Sequence, residues 1–214
     1  MKRTTLTIIL LLLGLTVMAQ ESERPRMRTL FGNSGIRSNG GYGGITTGYT
    51  QMDGRDALVI GGRGAWIVNH SVGIGLSGYG FMSEQKLDTE LNDNYQLLGG
   101  YGGLMFEFIA TPHSPIHLSF PLVIGAGGVT YAEHDSFINN DFNRLTEDTQ
   151  AFFVVEPGVE LKLNMLRFMR LAFGVSYRYT SDVDLTYNGA GQRIMDKDVL
   201  HGLTGGITLK FGKF

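Results

Sequence analysis

Seven ionisable residues stand within segments whose neighbouring positions on the same face are small: Arg63, Glu107, Glu156, Glu160, Lys162, Arg178 and Lys210. Four cations against three carboxylates can nearly neutralise one another. A charge inside a narrow enclosure must be paired, because isolating it from water is costly. These residue types support two chemistries. One is an interior ion-pair network that plugs a lumen; the other is a water-lined path for protons or ions. The network is the expectation, because a narrow barrel of strands is filled by side chains.

The five histidines invite a metal or catalytic reading and do not support one. His113 and His117 are four apart, but Pro115 between them forbids a helical pair. His70 and Ser71 share a turn with no acid nearby in sequence, and His134 lies between Glu133 and Asp135 in an acidic stretch. With no cysteine, disulfides, cysteine-ligated zinc and a thiol nucleophile are excluded. GGYGG occurs at Gly40–Gly44 and Gly99–Gly103, and GGRG at Gly61–Gly64. A phosphate loop needs a strand-to-helix turn and a lysine. These motifs sit within strands, where glycine permits curvature and the tyrosine covers neighbouring backbone. No cofactor, metal or catalytic residue is expected.

The elements that position these residues follow from period-two alternation. Over 170–180, Leu171, Phe173, Val175, Tyr177 and Tyr179 oppose Arg170, Ala172, Gly174, Ser176, Arg178 and Thr180. Similar alternation marks 57–68, 96–109, 152–163 and 202–212, with weaker strands near 40–51, 72–83 and 116–132. These eight strands suffice to cross a bilayer, which takes about 9–11 tilted residues. Their connections cover 52–55, 69–71, 84–94, 111–115, 133–148, 164–169 and 181–197. After the first hairpin, long and short alternate, as in an outer-membrane barrel with short periplasmic turns and longer external loops. The external loops are acidic, and no spacing matches a calcium loop.

Residues 1–19 carry Lys2 and Arg3, an apolar run centred on Leu6–Leu15, and Val17-Met18-Ala19. This pattern is a secretory signal peptide. Residues 20–39 read as a flexible periplasmic lead-in, and 40–214 as the barrel. Glycine is the compositional outlier at 31 of 214 residues, roughly twice its usual share. Net charge is -2 and no Lys/Arg cluster appears, so nucleic acid is not an expected partner.

Volume decides which face points out. Eight strands cannot enclose several Leu, Phe, Tyr and Trp side chains per strand, whereas Gly, Ala, Ser and Thr suit a narrow interior. Rings fall near the strand ends, as in interfacial girdles. Trp66, Phe106, Phe108, Phe168, Phe211 and Phe214 are expected at the periplasmic end. Tyr49, Tyr79, Phe81, Tyr95, Tyr177 and Tyr179 are expected at the external end.

The signal peptide, eight alternating strands, long external loops and terminal GGITLKFGKF together resemble the OmpA/OmpX-type small outer-membrane barrels. The resemblance covers 40–214 and implies an all-β, eight-stranded antiparallel up-and-down transmembrane barrel. It also implies that Ile207, Leu209, Phe211 and Phe214 form the signal read by the barrel-assembly machinery. Phe214 has the opposite parity from the other three, which a bulge near Gly212 would repair. The glycine-rich style is also similar to barrels of the Bacteroidetes type. The expected function is non-enzymatic, structural or surface-interacting, in the outer membrane beside lipid and lipopolysaccharide, as a monomer. Three readings compete: a narrow ion or water channel, a lipid-modifying enzyme, and a soluble lipocalin-like barrel.

Overall fold

Alternating side chains and tight turns wind the chain into a closed antiparallel barrel. The computed structural model describes residues 39–90, 92–133, 146–187 and 192–214. The expected signal peptide, the lead-in up to residue 38, His134 and most of the acidic loop after β6 lie outside the described residues. The strands are β1 Asn39–Met52, β2 Arg55–Val68, β3 Val72–Ser83, β4 Lys86–Asp88, β5 Asp93–Ile109, β6 Ile116–Glu133, β7 Thr146–Leu166, β8 Met169–Thr180 and β9 Gly202–Lys213. Eight of them form the wall. Each pairs with its neighbour in sequence, β9 pairs with β1, and β3 closes onto β5. The three-residue β4 extends the sheet beyond the wall by pairing with the start of β5.

The turns follow local chemistry. Asp53 and Gly54 both have positive φ, 53° and 66°, the geometry of a two-residue hairpin turn. The expected six-residue turn after β7 is shorter. Strand pairing continues to Leu166↔Met169 through an irregularity between Asn164 and Leu166, leaving only Arg167 and Phe168 as the turn.

The faces settle the choice between a membrane and a soluble barrel. Phe173, Val175, Leu203 and Ile207 point outward and are exposed, as are Ile45, Leu58, Leu104 and Phe153. The buried interior holds Arg63, Glu107, Glu160, Lys162, Arg178 and Lys210. An apolar exterior around a charged interior suits lipid, not water. The soluble lipocalin-like reading fails on this point.

The girdle expectation holds at one end and needs correction at the other. Trp66, Phe106, Phe108, Phe168 and Phe211 are exposed near the short turns, and Tyr49 and Tyr179 near the external mouth. Phe81 and Tyr95 are instead buried inside, and Tyr79 packs against the same core. Glycines opposite them make the room: a Cβ at Gly99 would collide with the Phe81 ring. Phe214 also turns inward. The β1–β9 ladder runs through Tyr42↔Gly212 to Gly41↔Lys213 with no register shift, so the expected bulge is absent. Phe214 stacks on Tyr42 with centroids 5.9 Å apart and lies 4.0 Å from the Arg170 guanidinium carbon.

Candidate functional site: the barrel interior

Inward-facing residues of six strands meet in one ionic cluster. Glu107 on β5 accepts from Lys162 Nζ on β7 at 2.7 Å and Lys210 Nζ on β9 at 2.8 Å. Tyr42 on β1 donates its hydroxyl to the same carboxylate at 3.0 Å. Glu160 on β7 accepts from Arg63 on β2 at 2.5 Å and from Lys210 at 2.8 Å. Ser119 Oγ lies 3.3 Å from both carboxylates, and Arg63 also donates to Thr208. Lys210 Nζ sits 4.7 Å from the centre of the Tyr42 ring, adding a cation–π contact. Every charge in this group is buried, and all but Lys162, which bonds Glu107, make two or more of these bonds. That is the arrangement in which buried ion pairs offset their desolvation.

Glu156 and Arg178 were expected in this network and form no ion pair in it. Among the described residues, Glu156 is bonded only by hydroxyls, from Tyr101 at 2.6 Å and Ser176 at 2.5 Å. Arg178 donates Nε to the Leu200 carbonyl at 2.7 Å, and its two terminal nitrogens have no hydrogen-bond partner among the described residues. Phe81 and Tyr101 lie beneath its guanidinium at 5.7 and 5.6 Å. Between the Glu156 level and the ionic cluster lies a cavity of about 60 Å³ lined by Glu156, Arg63, Glu160, Tyr79, Tyr101 and Thr204. That is room for a few waters.

Sequence reasoning missed the role of the repeated GGYGG. Tyr42 and Tyr101 are its central residues, both point inward, and both donate to a buried carboxylate. The signal was present in the repeat: glycines on either side leave the tyrosine as the one bulky inward group. Arg170, on the inward face of the same alternation, was not counted in the charge network. It is buried near the short-turn end of the barrel, over Phe214.

The external mouth is closed by chain expected to be an open loop. Val183, Leu185, Val199 and Leu200 are buried in one apolar cluster with wall residues Met52, Val59, Phe81, Leu97 and Phe152. Backbone bonds join the two sides of this segment, Val183 N to Lys197 O and Ile194 N to Leu185 O. Side chains fix it to the rim: Asp148 accepts from the Thr186 amide and hydroxyl, and Asp88 accepts from Tyr187 and Tyr131. Partial burial and the Asp88 bond push the Tyr187 phenol up to about 12. A phenol raised in the folded state stabilises it below the unfolded pKa near 10, and that contribution is lost as pH rises through about 12. Carbon-13 tyrosine NMR should therefore find Tyr187 titrating near pH 12; a midpoint near 10 would contradict the Asp88 bond.

The described histidines make local contacts. His70 lies in a left-handed turn conformation, φ 59°, its ring 5.5 Å from that of His113, while Ser71 Oγ donates to the Asn69 carbonyl. Buried His117 bonds the Ser114 carbonyl at 3.2 Å. Among the described residues, no group of three His, Cys, Asp or Glu side chains is placed to hold a metal ion.

Residues 7–211 match the model of the family described as outer membrane protein beta-barrel domain. The chain belongs to this family. It is an outer-membrane β-barrel, and its exposed apolar wall is the surface that meets lipid. No curated protein matches the chain. Among solved structures, the barrel is similar to Neisserial surface protein A, with a TM-score of 0.55 at 8% identity, over 82% of this chain and 97% of that one. That likeness shows the fold. The N-terminal β-barrel domain of Pseudomonas aeruginosa OprF gives 0.45 at 11% identity, over 80% and 96% of the two chains. Ail, the attachment invasion locus protein of Yersinia pestis, solved with the heparin analogue sucrose octasulfate, gives 0.48 at 11% identity, over 81% and 97%.

Proposed function

We propose that this outer-membrane barrel is a non-enzymatic, closed envelope protein that works through its outer surfaces and external loops. The observation that carries the reading is closure of the lumen. The ionic cluster plugs the lumen on the short-turn side of the central cavity, residues 181–187 and 192–201 fill the external mouth, and Phe214 with Ile67 and Ile109 narrows the periplasmic end. A protein whose interior is spent on its own ion pairs acts from outside. Its lipid-facing wall meets outer-membrane lipid and lipopolysaccharide, and its external loops meet surface partners, with the barrel as a monomer. Ile207, Leu209 and Phe211, on the outward row of β9, are the residues offered to the barrel-assembly machinery. Phe214 contributes to the interior instead.

The test is conductance in a planar bilayer. The folded protein should show no sustained single-channel current across neutral pH. Steady openings would overturn closure and favour the narrow-channel reading, for which the central cavity is the supporting observation.

A further inference from the structure

Two groups in the lumen face each other without pairing. The β7–β8 ladder is bracketed by Val155↔Tyr179 and Gly158↔Ser176, which puts Glu156 directly opposite Arg178. Both side chains point inward and both residues are buried. Residues directly opposite in an antiparallel pair hold their Cβ atoms about 4.5–5.5 Å apart, and opposite charges there attract. Yet no ion pair joins the two heads. Arg178 reaches to the Leu200 carbonyl of the external segment and lies over the Phe81 and Tyr101 rings, leaving both terminal nitrogens without a hydrogen-bond partner among the described residues. Glu156 is held by Tyr101 and Ser176, beside the central cavity. A fully buried guanidinium with unused donors is costly. The carboxylate that would satisfy it is its nearest neighbour across the sheet.

We propose that Arg178 is a two-position latch for the external segment. In the observed position its Nε bond to Leu200 holds residues 181–187 and 192–201 down in the mouth. When that segment lifts, the guanidinium turns to Glu156, and the new ion pair takes over closure of the upper lumen. The external segment can then move to meet a partner without opening a path through the barrel. The apolar contacts of Val183, Leu185 and Leu200 set the cost of lifting, and the waiting carboxylate reduces it. This inference rests on the closed-lumen reading and adds a moving part to it.

The chain has no cysteine, so one introduced thiol reports lifting cleanly. Leu185→Cys places it under the segment, where a water-soluble maleimide reacts only when the segment lifts. Adding Glu156→Gln removes the second position of the latch and should slow labelling about tenfold. In an Arg178→Met background the same change should alter the rate less than about twofold. Equal effects in the two backgrounds, or none, would overturn the latch. Ser176→Ala leaves Glu156 in place and frees one carboxylate oxygen. It should speed labelling about threefold, and an unchanged or slower rate would also overturn the latch. Labelling reads the segment and bilayer current reads the lumen, so failure of either idea is seen separately.

Discussion

Glu107→Ala should lower the barrel's unfolding free energy in lipid or detergent by about 3–5 kcal/mol. Glu107 receives Lys162, Lys210 and Tyr42, and all four residues are buried. Removing the carboxylate leaves Lys162 without the ion pair described for it, and Lys210 with Glu160 alone. Lys162, Lys210 and Arg63 then face one remaining carboxylate, Glu160, in a buried site. Glu156→Gln is the comparison, because Glu156 is held by hydroxyls and no cation stands within ion-pair distance of it among the described residues. That change should cost about 1–2 kcal/mol. Urea unfolding followed by tryptophan fluorescence, with Trp66 as the one tryptophan, measures both. Equal losses would mean that Glu107 is not the centre of the interior.

Val175→Arg should cost about 2–4 kcal/mol, because it sets a charge on the lipid face near the bilayer midplane. Val175 sits near the middle of β8, exposed and paired to Val159 and Gly205. Val72→Arg, beside Phe108 at the rim of the short turns, should cost about 0–1 kcal/mol. The same substitution thus separates depth from mere exposure. Refolding yield into vesicles, read as the unboiled fast-migrating band, should follow the same order. Equal losses at both sites would contradict the assigned depth.

The two predictions draw on different parts of what the sequence carries. The wall was legible because each strand repeats one rule: Leu171, Phe173 and Val175 alternate with residues too small or too charged to face lipid. Strand ends fell within a few residues of those observed, apart from the longer β7 and the added β4. The identities of the inward charges were legible for the same reason. Their partners were not, since pairing depends on register between strands far apart in the chain. Arg178 and Glu156 share a register position and still do not pair, because the Leu200 carbonyl competes for the guanidinium. Tyr79 and Phe81 were misplaced because a ring near a strand end looks the same on either face. Only the glycines across the sheet, Gly61 and Gly99, show that the interior has room for them. The segment after β8 carries a local signal of its own: Val183 and Leu185 alternate with aspartates, which is a strand-like buried edge within an acidic loop.

The barrel's central arrangement is an apolar wall facing lipid around a charged, buried interior. A single-cysteine scan of Met169–Thr180 tests it most directly, because the chain contributes no thiol of its own. Each thiol would carry a fluorophore in vesicles containing brominated lipid, or meet a water-soluble maleimide. Positions 171, 173, 175 and 177 should be quenched by the lipid, and positions 172, 174, 176 and 178 should resist both reagents. Rapid maleimide labelling at 172, 174 and 176 would show an open aqueous lumen, and quenching at those positions would show that the faces are reversed.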